Sequence, residues 1–538
     1  MKYEILLDNE PHLRDQARKQ IEEIVGTLSE NFIQDQEYPA FGNLVEVNAR
    51  VAGADIWQLH DELMAVEGVI DVDPDLELEV KENELNAQYY AESALHSSAQ
   101  GIHPQASWYH NAVRFPEAVQ WARSAATAGT GYFRDQRIKV AQLDTGYTHH
   151  PEVKNYKVSE GYNFLVTEDA TKPYDRLQST RPIPVLWGGH GTSCAGVMIG
   201  AFAEITEREP SPDEQLHYED LTDGLFPNVD LLPYRVSRNI ISFSNKLAQG
   251  LHHVMQQGDI PVVSISHATL LPKRALWLAV KEAANQGIII VAAAGSHIKG
   301  FRKIFTYPAK YDETIAAAAS TVQGLPWTLT HGGPEVDVCA PGYEIYIPFP
   351  YRKQGKEYYA YKWSEGSSFS VPITACAAAL WLCHHGIDNL KSHYPGQQLV
   401  ELFRRTCRQT VTPFSGPADT NLYGPGILNV KNLLTAPLSS PPAIMANLRA
   451  TGTGTRPAID NLKLTIAADQ NRYLKEKELT YQTLLAKLET EDLGNELGDY
   501  VMDNASASVK NYIGPNFQSE AIKIKVKSFT ETYYSGKY

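Results

Sequence analysis

The stretch RIKVAQLDTG, residues 137–146, decides the fold class of this chain. Its largely apolar run is typical of a strand that is covered on both faces of a parallel sheet. The strand ends at Asp144, and the Thr-Gly pair after it turns the chain out at the carboxyl edge of the sheet. Ligands and catalytic groups of open α/β sheets gather at that edge. The stretch therefore predicts an α/β domain and one candidate functional aspartate.

Four further apolar runs predict buried strands that alternate with helices. They are NVDLLPYRV (228–236), IPVVSIS (260–266), GIIIVAAAG (287–295) and TIAAAAS (314–320). Near-continuous apolar strands of this kind indicate a mainly parallel sheet with helices on both faces. We assign this α/β domain to residues 108–436.

The rest of the chain divides into smaller parts. Residues 1–80 show the order β-α-β-α-β, which predicts a small α+β domain with two helices packed on one antiparallel sheet. Residues 81–107 have no sustained period and are predicted to be a linker. A second linker is predicted at residues 437–458, which are rich in Pro, Ser, Gly and Thr. Residues 459–538 form a C-terminal extension of unknown role, with one amphipathic helix and one strand expected.

Composition excludes several classes of protein. The net charge of −15 argues against a non-specific nucleic-acid binder, whose affinity depends on basic surface. The longest apolar runs are about half a membrane span, so no membrane partner is expected. Five cysteines in mostly apolar surroundings favour buried thiols in a reducing compartment over a disulfide framework. With no visible signal peptide, this predicts a cytoplasmic location.

Two more motifs accompany Asp144 in the α/β domain. GGHGTSCAG (188–196) places His190 at the start of a helix of small residues, and GSSFSVP (366–372) places Ser368 at the start of another. Taken singly, each residue is more often a turn former, a satisfied polar group or a helix cap. Together they supply an alcohol, a base for its proton and a carboxylate to orient that base. The three motifs therefore predict nucleophilic catalysis.

The order of these motifs along the chain and their residues resemble those of the subtilisin-like serine peptidases, the subtilases. The resemblance covers residues 108–435 approximately and includes GLFPNVDLLPYRV (224–236), YPAKYDETIAAAAS (307–320), GGPEVDVCAPG (332–342) and YGPGILNV (423–430). It implies a subtilisin-like fold and a serine endopeptidase acting on protein or peptide substrates. Asp144 would orient His190, His190 would act as general base and acid, and Ser368 would form the acyl-enzyme. Cys194 resembles the thiol of the proteinase K-like and kexin-like branches, and we interpret it as structural.

One departure from the family lies beside the predicted site. Where most subtilases have an oxyanion-hole asparagine, this chain has Ser296, followed by His297. Three accounts compete: Ser296 donates directly or through water, His297 swings in, or the asparagine has been lost. The backbone N–H of Ser368 remains as an oxyanion donor in each case, so we expect a slow peptidase. The predicted substrate-binding residues are Ser266, His267, Ala268, Ala293, Ala294 and Gly295.

The N-terminal domain resembles the family's inhibitory propeptide, so we expect the chain's own residues 1–80 to act as an inhibitor. A permanent recognition or partner-binding domain is the competing interpretation. No cofactor is required and no metal ligand is assigned, although structural calcium is common in the family. The acidic segment after residue 200 is interpreted as a solvated loop, with calcium binding or a preference for basic substrates near the cleft as the alternatives. A weakened peptide-binding scaffold and a peptide ligase on the same fold are the alternative functions.

Overall fold

The computed structural model describes most of the N-terminal and α/β domains. The described residues are 2–8, 10–25, 33–38, 42–48, 59, 62–75, 104–133, 137–153, 156–165, 168–175, 177, 188–200, 224–226, 228–238, 240, 245–269, 273–296, 306–353 and 356–441. The predicted C-terminal extension, with its helix and strand, and most of both predicted linkers lie outside them. The predicted domain boundaries stay predictions.

The N-terminal domain is an antiparallel sheet packed on a helix. Its elements are β1 (Lys2–Leu7), α1 (Pro11–Val25), β2 (Ile33–Tyr38), β3 (Gly42–Asn48) and β4 (Val69–Asp75), with strand order β2-β3-β1-β4. Apolar residues of the sheet and α1, such as Ile5 and Ile21, share a core with Leu59, Leu63 and Val66 of the predicted second helix. That helix is described only at residues 59 and 62–64. Strand β2 was not predicted, because IQDQEY carries almost no apolar signal.

A seven-stranded parallel sheet forms the centre of the α/β domain. Its strands are β5 (Ile138–Asp144), β6 (Tyr162–Asn163), β7 (Val229–Arg235), β8 (Val262–Ile265), β9 (Ile289–Ala293), β10 (Ile315–Ser320) and β11 (Val336–Pro341). They lie in the order β11-β10-β9-β8-β5-β7-β6, and every neighbouring pair is parallel. The predicted mainly parallel sheet is therefore confirmed.

Helices cover both faces of this sheet. Those in the α/β domain are α2 (Trp108–Ala112), α3 (Phe115–Thr127), α4 (His190–Ile199), α5 (Lys246–Gln257), α6 (Arg274–Asn285), α7 (Ser367–His385), α8 (Ile387–His393), α9 (Gln397–Gln409), α10 (Thr420–Tyr423) and α11 (Val430–Thr435). Successive strand residues belong to different core clusters: Ile289 packs with α4 and α7, whereas Ile290 packs with α5 and α6. This period of two is what a doubly covered sheet requires.

Helix α7 runs through the middle of the domain. Among the described residues it is the helix whose length and apolar composition would let it cross a membrane, but 89% of its apolar window is buried inside the protein. It packs against β8, β9, β10 and β11. Its apolar character is therefore explained by its position as the core helix, and its first turn reaches the carboxyl edge of the sheet.

A long hairpin precedes α7 and was not predicted. Strands β12 (Ile345–Lys353) and β13 (Lys356–Ser364) pair along their whole length. The hairpin packs on α4, where the Ser193 hydroxyl donates to the Pro348 carbonyl at 2.7 Å. Its sequence signal was present, because two aromatic-rich alternating runs flank a Gly.

Candidate active site

The side chains of Asp144 and His190 form a buried pair at the carboxyl edge of the sheet. His190 Nδ1 lies 2.8 Å from Asp144 Oδ1, and the two side chains are 0% and 1% exposed. The Thr145 N–H also donates to Asp144 Oδ1, at 2.7 Å. With Nδ1–H directed at the carboxylate, the other ring nitrogen of His190 is the one left to accept a proton.

Local structure explains why these two side chains meet. Asp144 is the last residue of β5, and His190 is the first residue of α4, directly after Gly189 in the left-handed region. Burial alone would lower the pKa of His190, but the charge and hydrogen bond of Asp144, together with the neighbouring Cys194, outweigh burial and raise that pKa well above the usual value. The pair is thus arranged to hold a proton on the imidazole.

Ser368 lies in the first turn of α7, directly before Phe369, whose ring centroid lies 6.5 Å from that of His190. Its hydroxyl donates to the Ser266 carbonyl at 3.4 Å, a long and weak hydrogen bond, while the Ser266 hydroxyl donates to the Ser368 carbonyl at 2.7 Å. The Cys194 sulfur lies 3.8 Å from His190 Nε2 and 3.6 Å from the Ser368 carbonyl oxygen. One thiol therefore contacts both motifs.

Cys194 lies under His190, and its thiol stays protonated. Burial raises its pKa, and the neighbouring His190 only partly offsets this effect. All five cysteines fall within the described residues, and each is a free thiol. Ligand atoms of Asp144, His190 and Cys194 lie within 4.8 Å of one another, close enough to hold a metal ion. A metal ion there would occupy the imidazole, so it would compete with proton transfer.

The side chain of Ser296 is hydrogen-bonded to the first residue of α7. Its oxygen accepts the Ser367 N–H at 2.8 Å and lies 3.1 Å from the Ser367 hydroxyl. The Gly295 N–H donates to that same Ser367 hydroxyl at 3.1 Å. His297, the other proposed donor, lies outside the described residues.

The remaining predicted site residues lie at the carboxyl ends of two neighbouring strands, β8 and β9. Ser266, His267 and Ala268 follow β8 and are buried, and Ala268 donates its N–H to the Ile240 carbonyl at 3.0 Å. Ala293, Ala294 and Gly295 end β9 or follow it. Gly295 has a φ of +104°, and a Cβ there would lie 2.4 Å from the His331 ring. Their role in binding substrate stays a prediction.

Polar support for the site comes partly from residues that the sequence analysis did not single out. On β5, Gln142 donates to the Gly191 carbonyl at 2.8 Å, and the Tyr156 hydroxyl donates to Gln142. This network holds the backbone that follows His190. The available signal was a polar residue inside an otherwise apolar strand, because such a residue must find partners when buried.

Comparison with known families decides the assignment. Residues 135–426, just over half of the chain, match the subtilase family, peptidase S8. The chain belongs to the subtilase family. As a subtilase it is a subtilisin-like serine peptidase.

Individual relatives agree with this family. The subtilase is 27% identical over 319 residues to an alkaline protease of Alkalihalobacillus alcalophilus, covering 59% of this chain and 70% of that protein. It is 27% identical over 302 residues to the major intracellular serine protease of Bacillus subtilis (strain 168), covering 54% and 82%. Its fold is similar to that of fervidolysin from Fervidobacterium pennivorans, a keratinolytic enzyme related to subtilisin. That likeness has a TM-score of 0.54 at 18% identity and covers 81% of this chain and 61% of that chain.

These relatives correct one prediction. One is named an intracellular protease, whereas several others are named alkaline proteases or subtilisins. Family membership therefore does not place this chain in the cytoplasm, and the predicted cytoplasmic location is wrong. Sparse cysteines and the sequence of the first residues were insufficient grounds, because free buried thiols are compatible with more than one compartment.

Proposed function

We propose that this subtilase is a serine endopeptidase that uses Asp144, His190 and Ser368 as its catalytic triad. The observation that carries the proposal is the buried hydrogen bond of 2.8 Å between Asp144 and His190 beside the first turn of α7. An alcohol nucleophile needs a base to take its proton, and a histidine oriented by a carboxylate is such a base.

In this mechanism Ser368 Oγ attacks the carbonyl carbon of the scissile peptide bond and passes its proton to His190 Nε2. Asp144 stabilises the resulting imidazolium through Nδ1–H. The tetrahedral intermediate collapses as His190 gives the proton to the leaving amine, and the acyl group stays on Ser368. Water then attacks the ester with the same base, which releases the acid and restores the serine.

The oxyanion would be stabilised mainly by the Ser368 N–H at the amino end of α7, where the helix dipole also favours negative charge. The Ser296 oxygen accepts the Ser367 N–H, and the Ser367 hydroxyl, 3.1 Å away, competes for the single O–H that Ser296 could donate to the oxyanion. A slow peptidase is the expected result.

The N-terminal domain would act as an inhibitor that stays docked on the enzyme. Both carboxylate oxygens of Glu4 accept the Asn245 N–H at the start of α5, at 2.9 and 3.0 Å. Lys273, just before α6, lies 3.5 Å from Glu4 and 3.6 Å from Asp73. These buried contacts hold the sheet on the two helices that follow β7 and β8. The segment after β4, which would enter the cleft in the family's propeptides, lies outside the described residues.

A fluorophosphonate probe tests the catalytic proposal directly. It should label Ser368 in the full chain, and labelling should disappear in Ser368→Ala and His190→Ala, since removing either residue from a subtilisin-like triad costs on the order of 10⁶ in kcat. Mass spectrometry of the labelled peptide identifies the site. If neither the folded full chain nor the folded Glu4→Gln variant is labelled, the proposal is overturned and the peptide-binding scaffold is favoured. A product joined to an added amine would instead indicate the ligase.

Autoinhibition is tested by weakening the contacts that hold the N-terminal domain on the α/β domain. Glu4→Gln removes the charge that faces Lys273 and should speed labelling of Ser368 by about tenfold, which corresponds to about 1.4 kcal/mol of docking free energy. Glu22→Gln, on the exposed face of α1, is the matched control. Equal labelling rates in Glu4→Gln, in a chain lacking residues 1–80 and in the unaltered chain would contradict autoinhibition.

A further inference from the structure

A buried arginine lies next to the proposed triad at the carboxyl edge of the sheet. Arg235 is the last residue of β7, pairs in register with Asp144 and is 1% exposed. Its guanidinium donates to the Thr145 carbonyl and lies 3.3 Å from the carboxylates of Asp175 and Glu168. Arg235 therefore holds the backbone of the residue that directly follows Asp144.

The same guanidinium reaches the His190 side of the site through one carboxylate. Asp175 accepts the Gly189 N–H at 2.7 Å and the Leu177 N–H at 3.0 Å. Gly189 immediately precedes His190 at the start of α4. Arg235 and Asp175 together thus join the turn after Asp144 to the turn before His190.

The turn after Asp144 also rests on the aliphatic part of Arg235. Gly146 has a φ of +95°, and a Cβ at this position would lie 2.3 Å from the Pro173 carbonyl oxygen and 3.2 Å from Arg235 carbon atoms. Only glycine permits this close approach. The aliphatic part of the arginine side chain therefore packs against the turn after Asp144.

The charges in this cluster are balanced. Arg235 faces Glu168 and Asp175, and Arg238 lies 3.1 Å from Glu168. Burial alone would raise the pKa of Glu168, but Arg235, with Asn163 and Arg238, brings that pKa below its usual value. A buried ion-pair network of this kind contributes little net stability, because desolvation offsets the attraction. Its placement between the two turns calls for another role.

We propose that Arg235 is a positioning residue that sets the alignment of Asp144 with His190 by fixing the backbone on both sides of the pair. This inference rests on the proposed function, because alignment matters only if His190 acts as the base. Arg235 itself touches neither the scissile bond nor the imidazole. Its effect is on the rate of the chemical step and not on the binding of substrate.

Three substitutions test the inference, with a fluorophosphonate as the probe and the full chain as the protein. In Arg235→Gln the maximal labelling rate should fall by about 100-fold, the cost of a displacement of about 1 Å in a catalytic geometry. The probe concentration at half-maximal rate should stay unchanged. Asp175→Asn keeps the shape of the side chain but removes the charge, and should give a smaller loss. Arg235→Lys should restore part of the rate, because an ammonium keeps the ion pairs but lacks the fork that also reaches Thr145.

The pH profile gives a readout that a purely structural role would not change. Asp144 raises the pKa of His190, so a misaligned carboxylate should shift the midpoint of labelling to lower pH in Arg235→Gln and Asp175→Asn. Arg404→Gln is the matched control. Arg404 also lies near two carboxylates, 3.3 Å from Asp337 and 2.8 Å from Glu401, and donates to the Thr314 carbonyl at 2.8 Å.

The outcomes separate the two proposals. If neither the unaltered chain nor the Glu4→Gln variant is labelled, the triad itself is wrong. If either is labelled, and Arg235→Gln and Arg404→Gln lose melting temperature equally and keep the same rate and pH midpoint, the positioning role is overturned. Should Arg235→Gln fail to fold, Asp175→Asn decides by the same two readouts. A lowered rate with a shifted midpoint in the Arg235 and Asp175 variants alone supports the inference.

Discussion

Opposite edges of the central sheet each contain an arginine paired with two carboxylates, and the comparison separates chemistry from stability. At the carboxyl edge, Arg235 binds backbone beside Asp144 and, through Asp175, beside His190. At the amino edge, Arg404 binds Asp337 near the start of β11 and the Thr314 carbonyl just before β10. The interactions are of one kind. What differs is the backbone they hold, so the same ion-pair arrangement is expected to affect turnover at one edge and unfolding at the other.

The largest difference between the edges is expected from removing one carboxylate at each. Asp144→Asn should lower kcat by about 10⁴, the effect of mis-orienting the histidine of such a triad. It should also move the pH midpoint of labelling downward, because the charge that raises the pKa of His190 is gone. Asp337→Asn, at the amino edge, should lower the melting temperature and leave the labelling rate unchanged. Similar rate losses in both variants would abolish the distinction.

An intermediate effect is expected at the predicted oxyanion position of the carboxyl edge. Ser296→Asn should raise kcat by about 10² or more, since a single oxyanion donor is worth on the order of 10² to 10³. Ser296→Asp introduces a side chain of nearly the same shape as asparagine but without the N–H donors, and it serves as the control. Initial rates of peptide hydrolysis measure both. If Asn and Asp behave alike, the site already has its second donor.

The smallest effect concerns stability at the amino edge. Glu313 is buried, and burial raises its pKa to about 7 from the ordinary 4.5. Since this pKa is higher in the folded state, its contribution to stability is complete below pH 4.5 and is lost as the pH rises through about 7. Glu313→Gln should therefore stabilise the protein at pH 8 by about 1–3 kcal/mol and change little at pH 4.

Urea unfolding at the two pH values checks this. Glu23→Gln removes a charge from an exposed side chain of α1 and is the control. If Glu313→Gln leaves the difference in unfolding free energy between pH 4 and pH 8 as it was, Glu313 is ionised in the folded state and the expectation is wrong.

Much of the fold was predictable because it is encoded locally. The strand ending at Asp144 and the later apolar runs each identify a doubly buried strand, and the parallel sheet follows from their alternation with helices. Strand β2 and the hairpin β12–β13 were missed. The first has few apolar residues, and the second lies outside the central sheet on which the sequence argument was built.

The site was predictable only in part, for a similar reason. Asp144, His190 and Ser368 lie in short motifs, so sequence could nominate them, and the structure brings Asp144 and His190 together. Their catalytic roles stay a proposal. Arg235 has no motif of its own, and its contacts with Asp175 and Thr145 come from chain segments 60 and 90 residues distant in sequence. Such partners are set by tertiary structure and leave little local trace.

The contact between the hairpin β12–β13 and α4 joins two segments that lie far apart in the sequence. A Cβ at Gly196 would lie 2.2 Å from the Pro348 ring, and one at Gly189 2.8 Å from the Pro350 ring. The hairpin that packs on α4 thus requires small residues around His190, in addition to any requirement of the catalytic site. A His190 motif with bulkier residues, taken from another subtilase, would clash with this hairpin. The His190 motif and the hairpin β12–β13 are therefore expected to be exchangeable only together.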